Sequence, residues 1–227
     1  MSTKLNKTIK CAVFDLDGTL LNTIKTINYY LNFALSKNGL GQIDEPNCKS
    51  FVGDGAVKLI HRALTHLGCD VDDLFDTVFT DYNEAYNRDP YYLTEPYEGI
   101  SDALRVLDES GVKLAVLSNK PNFATRAAVE HFFPSTFDLV YGQRDGIPLK
   151  PSPEPILSML CELSVTPDEV AYIGDSEPDI YTAQNASIAL PISVTWGFRT
   201  RTQLISASAI NLIDKPYDII NLIFSHN

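Results

Sequence analysis

Ile9-Lys10-Cys11-Ala12-Val13-Phe14-Asp15-Leu16-Asp17-Gly18-Thr19-Leu20 is the stretch that decides the fold. A short apolar, partly β-branched run gives way at once to two aspartates and a glycine, the pattern of a buried strand emptying into a turn. Continued alternation puts Asp15 and Asp17 on one face, roughly 6–7 Å apart at ~3.3 Å per residue. Gly18 admits the positive φ of a sharp bend. Two like charges beyond a strand end are costly unless a cation lies between them or one carboxyl keeps its proton. An ordinary Asp-Gly turn is the bland reading; the rest of the chain argues for chemistry.

Outward from this strand, apolar runs and helical patterns alternate. From about Thr23 to Arg88 the chain is polar, aromatic and helix-patterned, with Gly39 and Gly41 as an interruption and Asp89-Pro90 as a stop. Val57, Ile60, His61, Leu64 and Leu67 recur within it at helical spacing. Alternation resumes at Ile100: helix Ser101 to Glu109, strand Lys113 to Ser118, helix Phe123 to Phe132, strand Phe137 to Tyr141 and helix Pro155 to Leu163. Strand Val170 to Ile173, helix Glu177 to Asn185 and strand Ile192 to Thr195 follow. Such alternation predicts an α/β fold, a doubly wound, Rossmann-like parallel sheet. Residues 1–21 and 96–227 are expected to form this core, and residues 22–95 an inserted α-helical cap. Ligands of open parallel sheets bind beyond the carboxyl ends of the strands.

Four motifs fall at those ends in order: Asp15-x-Asp17-Gly18-Thr19-Leu20, Leu117-Ser118-Asn119, Lys150-Pro151-x-Pro153-x-Pro155 and Gly174-Asp175-Ser176-x-x-Asp179. Together they resemble the haloacid dehalogenase superfamily of aspartate-nucleophile phosphohydrolases. Phe51-Val52-Gly53-Asp54-Gly55, Arg62-Ala63-Leu64 and Thr94-Glu95-Pro96-Tyr97-Glu98-Gly99-Ile100 are similar to its phosphoglycolate phosphatase subgroup. The likeness extends over essentially the whole chain.

The resemblance implies Asp15 as the nucleophile that becomes an aspartyl-phosphate, and Asp17 as the acid that protonates the leaving oxygen and then activates water. It also implies Thr19, Ser118, Asn119 and Lys150 as substrate-binding, and a Mg²⁺ site drawing on Asp15, Asp17 (through its backbone carbonyl), Asp175 and Asp179. Ser118 and Asn119 also suit the entry of a helix. Pro148, Pro151, Pro153 and Pro155 stiffen the loop that presents Lys150, which is expected to neutralise phosphate and nucleophile charge. Asp179 reads as a ligand, as a group orienting one, or as the acidic member of a capping box begun by Ser176.

Composition agrees with a soluble enzyme, in which an anionic substrate would need a local positive site. Among 227 residues, 18 basic and 29 acidic ones give a formal charge of −11, and 44% are hydrophobic. That balance disfavours nucleic acid and anionic lipid as partners. Cys11, Cys48, Cys69 and Cys161 lack metal-site spacing and are expected to be reduced thiols of a cytoplasmic protein, Cys11 and Cys161 buried. Met1-Ser2-Thr3-Lys4-Leu5-Asn6-Lys7 lacks an apolar signal region, and no run long enough for a membrane span occurs.

His61, His66 and His131 are assigned to neither metal nor catalysis, Lys120 stays outside the catalytic set, and Tyr82, Tyr86, Tyr91 and Tyr92 read as lid packing. Gly53-Asp54-Gly55 with Lys58 and Arg62 presents either a helix N-terminus and cations to a substrate carboxylate or a solvated face. Asn22 departs from the acidic residue many relatives carry at the cap entry. The expected function is Mg²⁺-dependent hydrolysis of a small soluble phosphorylated metabolite, 2-phosphoglycolate first by resemblance. The alternatives are a sugar phosphomutase of the same superfamily and a catalytically silent binding or regulatory protein. Oligomeric state is left open.

Overall fold

The computed structural model describes residues 8–226, so the polar leader Met1 to Lys7 lies outside the described residues. The elements run β1 (Cys11–Phe14), β2 (Leu21–Asn22), α1 (Ile24–Lys37), α2 (Glu45–Phe51), α3 (Ala56–His66), α4 (Val71–Arg88) and β3 (Glu95–Pro96). The second part comprises α5 (Ile100–Glu109), β4 (Lys113–Pro121), α6 (Asn122–Phe132), β5 (Leu139–Gln143), α7 (Glu154–Glu162), β6 (Val170–Gly174) and α8 (Glu177–Asn185). It ends with β7 (Leu190–Val194), α9 (Arg201–Ser206), β8 (Asn211–Ile213) and α10 (Tyr217–His226).

Six strands form one parallel sheet in the order β5-β4-β1-β6-β7-β8. β1 sits inside it, with Cys11 opposite both Lys113 and Val170. The chain winds outward from β1 in both directions, so the carboxyl ends of β1, β4 and β6 are adjacent at the switch point. Burial on both faces explains the unbroken apolar run of β1. Ala12 and Phe14 pack with Leu104, Val129 and Ile223 on one face, and Cys11 and Val13 with Ile156, Met159 and Tyr172 on the other.

Helices α1 to α4 surround a separate apolar cluster that includes Leu31, Leu35, Ile60, Leu64 and Val78. The chain enters and leaves this layer through the antiparallel pair β2 and β3, where Leu21 faces Pro96 and Asn22 faces Glu95. Asp70 caps α4 by accepting from the N–H groups of Asp72 and Asp73. In α3 the buried stripe is Leu59, Ile60, Ala63 and Leu64. Val57, expected on that stripe, is 50% exposed, and His61 is exposed as well.

Two further expectations are corrected. Cys161 is exposed, because the buried face of α7 is carried by Ile156, Met159 and Leu160 and position 161 falls off that stripe. Strand β7 begins at Leu190 rather than Ile192. Proline is disfavoured inside a sheet; Pro191 pairs with Tyr172 one residue before β8 joins at Ile192. The segment after Thr195, left without elements by the sequence, forms α9, β8 and α10.

Candidate active site

Asp15 leaves β1 with its N–H donating to the Ile173 carbonyl at 2.9 Å. Its Oδ1 accepts from the Leu16 N–H at 2.7 Å and faces Lys150 Nζ at 2.9 Å. Lys150, only 4% exposed, also donates to Asp179 Oδ1 at 2.7 Å. The Lys150 loop is set by Asn119, whose Oδ1 accepts from the Lys150 N–H at 2.9 Å while its Nδ2 donates to the Lys150 carbonyl at 3.2 Å. The lysine is thus a buried bridge between two carboxylates.

Asp175 follows β6 and is buried between loops. Its Oδ1 accepts from the Thr19 hydroxyl at 3.1 Å and its Oδ2 from the Phe198 N–H at 2.7 Å. Gly18 has φ +90°, and a Cβ there would lie 2.4 Å from Asp175 Oδ2. A Cβ on Gly197 would lie 2.3 Å from Asp175 Cβ. Both positions therefore require glycine for the loops to close on this carboxylate. Thr19, expected at the substrate, is fully buried and directs its hydroxyl to Asp175.

Asp179 is the acidic member of a capping box: its Oδ2 accepts from the Ser176 N–H and hydroxyl at 3.1 and 2.6 Å, while Oδ1 takes Lys150 and the Tyr172 hydroxyl. One oxygen caps α8 and the other fixes the lysine. The capping-box reading is met, and the same side chain also holds Lys150.

Burial raises the Asp15 carboxyl well above its usual value; Asp179 adds to this and Lys150 opposes it. Burial, with Asp179 again, pushes Asp175 up to about 7 against the Phe198 and Thr19 donors. For Lys150 burial opposes the charge, but Asp15 and Asp179 outweigh it and the ammonium titrates well above its ordinary value. One oxygen each of Asp15, Asp175 and Asp179 lies within 4.8 Å of the others. Three carboxyl groups gathered at one ammonium make a buried cluster of oxygen donors, a set that fits a hard divalent cation, whose charge favours their ionised forms.

The Asp17 carboxylate is held apart from that of Asp15. Its carboxylate oxygens each accept from Lys120 Nζ at 3.1 Å, and the same ammonium donates to the Tyr86 hydroxyl at 2.6 Å. Each aspartate of the first motif has its own lysine, and the Asp17 carboxylate stands outside the acidic cluster. Lys120 belongs to the site after all. Its signal was available: Ser118 and Lys120 are two apart at a strand end, as Asp15 and Asp17 are.

Ser118 and Asn119 do not cap α6, whose N-cap is Pro121, with no side-chain cap. Ser118 lines the cleft. Asn119, besides bracing Lys150, donates to the Gly53 carbonyl at 3.1 Å. Arg199 donates to the Lys49 and Val52 carbonyls at 3.0 and 2.8 Å and to Glu177 at 2.7 Å. With Lys120–Tyr86 these make three ties from core to helical layer around the cleft. Arg199 had no spacing signal in the sequence.

The cleft is a cavity of about 80 Å³ closed on the helical side by Val52, Leu59, Tyr82, Asn83, Tyr86 and Asn87. Tyr82 and Tyr86 therefore wall the site, whereas Tyr91 stacks on His131 and Tyr92 packs on Tyr29. Arg62 is tied to Asp54 and the Phe51 carbonyl, and Lys58 is exposed, so neither lines the cleft. The wall there is formed by Gly53, Gly55 and Ala56, where α3 starts without a side-chain cap.

Residues 12–191 match a family model described as haloacid dehalogenase-like hydrolase. A phosphoglycolate phosphatase of Chromobacterium violaceum is 32% identical over 219 residues, covering 94% of this chain and 97% of the relative. One of Rhodobacter capsulatus is 36% identical over 190 residues, covering 82% and 84%. The crystal structure of a candidate phosphoglycolate phosphatase from Lactobacillus delbrueckii subsp. bulgaricus superposes with a TM-score of 0.89 at 33% identity, covering 96% of this chain and 99% of that one.

Proposed function

The chain belongs to the haloacid dehalogenase-like hydrolases and is a phosphatase, and from that premise we propose hydrolysis of a small phosphomonoester through an aspartyl-phosphate on Asp15, with Mg²⁺ as cofactor and 2-phosphoglycolate as the first substrate. The observation that carries this reading is the buried Asp15–Lys150–Asp179 bridge beside Asp175, at adjoining strand ends. Asp15, Asp175 and the Asp17 carbonyl would hold the cation, with Asp179 orienting Lys150. Bound there, Mg²⁺ supplies charge neutralisation for the phosphoryl oxygens.

Both grips on Asp15 fall on Oδ1, which leaves Oδ2 to attack phosphorus. As that bond forms, the bond from phosphorus to the leaving oxygen breaks, and the Asp17 proton passes to that oxygen. A water then attacks phosphorus, Asp17 takes its proton, and Asp15 departs as carboxylate. Ser118 and Lys150 donate to the phosphoryl oxygens, the electrostatic help worth most in a dry site.

Selectivity follows from the wall. Val52, Leu59, Tyr82 and Tyr86 enclose the cleft on the helical side, which favours a small leaving group. The uncapped N–H groups at the start of α3, beside Gly55 and Ala56, suit a small carboxylate. A chain of charge −11 repels polyanions, so nucleic acid and anionic membranes are not its partners. No described helix is long and apolar enough to cross a membrane, and the four free cysteines agree with a cytoplasmic setting.

The test is phosphate release from a panel of phosphorylated metabolites. Preferred hydrolysis of 2-phosphoglycolate, abolished by Asp15→Asn, is expected. Isomerisation of a sugar phosphate without phosphate release would replace hydrolase by mutase.

A further inference from the structure

We propose that Lys120 and Tyr86 form a latch through which closure of the helical layer sets the carboxyl group of Asp17. Both are positioning residues for the reaction, and the inference rests on the reading of Asp17 as the acid–base group.

The three donors of the Lys120 ammonium are spent on two partners: both Asp17 oxygens at 3.1 Å and the Tyr86 hydroxyl at 2.6 Å. Sharing the ammonium between both oxygens holds the carboxyl group in place beside Lys120. Lysine on its own is a poor positioning device, because a four-carbon stem carries much rotamer freedom. Tyr86 removes that freedom: its hydroxyl accepts from the ammonium at the edge of a buried ring. The Lys120 side chain is 7% exposed, so water does not substitute for that contact.

The two ends of this chain of contacts belong to different layers. Lys120 closes β4 of the sheet layer, and Tyr86 lies near the end of α4 in the helical layer. Tyr86 is itself buried among Tyr30 and Tyr82. It cannot follow Lys120 if α4 moves away, and opening would strip the lysine of its hydroxyl partner. Asn119–Gly53 and Arg199–Val52 also join the layers, but they end on backbone carbonyls and leave Asp17 untouched. Lys120–Tyr86 is the tie that reaches the acid–base group. Proton transfer to the leaving oxygen is thereby confined to the closed, water-poor cleft.

The experiment compares Tyr86→Phe, Lys120→Met and the double variant on two substrates, an alkyl phosphate and an activated aryl phosphate whose leaving group needs little protonation. Losing one hydrogen bond to a charged group predicts that Tyr86→Phe lowers kcat on the alkyl ester about tenfold more than on the aryl ester, with KM nearly constant. In the Lys120→Met background, Tyr86→Phe is expected to add less than about twofold. Thermal unfolding of each variant accompanies the kinetics, and Tyr86→Phe, which keeps the ring, retains the packing of α4. Equal losses on the two esters, or full additivity of the two substitutions, would overturn the latch. Asp17→Asn separates this from the underlying reading. If it shows the leaving-group dependence and Tyr86→Phe does not, Asp17 keeps its role and the latch alone is lost.

Discussion

Removing the buried ammonium by Lys150→Met keeps the length of the side chain but leaves Asp15 and Asp179 facing each other without compensation. In the native site Lys150 Nζ lies 2.9 Å from Asp15 and 2.7 Å from Asp179, and all three side chains are at most 9% exposed. Taking one partner from a buried ion pair costs about 3–5 kcal/mol. For a chain of this size that corresponds to a fall in melting temperature of about 6–20 °C. The loss is expected to be larger at high pH than at low pH in chelated protein. Burial already holds the Asp15 carboxyl well above its usual value, so it takes up a proton as pH falls instead of standing as an unpaired charge. Mg²⁺ should recover more stability in the variant than in the native protein, since three carboxylates then face the cation with no ammonium beside them. The assay is thermal unfolding at high and at low pH, with chelator and with Mg²⁺. A loss under about 1 kcal/mol, the value of an exposed pair, or one independent of pH, would refute the buried-bridge account.

The chelated native protein should lose stability as pH rises from about 4 to about 7, because Asp175, pushed up to about 7 in the fold, holds its proton there while the unfolded chain at 3.8 has released it; calorimetry across that range, with rising stability as the contrary result, checks the sign. Arg199→Met frees the Lys49 and Val52 carbonyls from a largely buried clamp, so KM for the preferred small substrate should rise about tenfold or more, while an unchanged KM would remove Arg199 from closure. Replacing residues 23–94 with a short Gly/Ser linker should flatten the substrate ranking more than it slows hydrolysis of an aryl phosphate. An unchanged ranking would move selectivity to Ser118 and Lys150.

The sheet was legible because β1 and β6 are buried on both faces and read as unbroken apolar runs ending in aspartates. The acidic cluster followed from those ends, since register and strand order bring Asp15 and Asp175 together. What a pattern could not show was which side chains cross from one layer to the other. Tyr86 shares a helix face with Tyr82 and is indistinguishable by spacing from core packing, yet its hydroxyl meets Lys120. Arg199 is one of two arginines after a turn, with Arg201, and its partners are carbonyls of α2 and the loop that follows, 150 and 147 residues away. Cys161 and Val57 were misplaced for a simpler reason: an apolar residue within a helical run need not lie on its buried stripe.

The central claim, covalent catalysis at Asp15, is tested most directly by acid-quenching the enzyme during turnover of a substrate labelled in its phosphoryl group and mapping the label. The account predicts a base-labile acyl phosphate on the peptide that contains Asp15, absent from Asp15→Asn together with turnover. Label on a different residue, with undiminished turnover in Asp15→Asn, would contradict it.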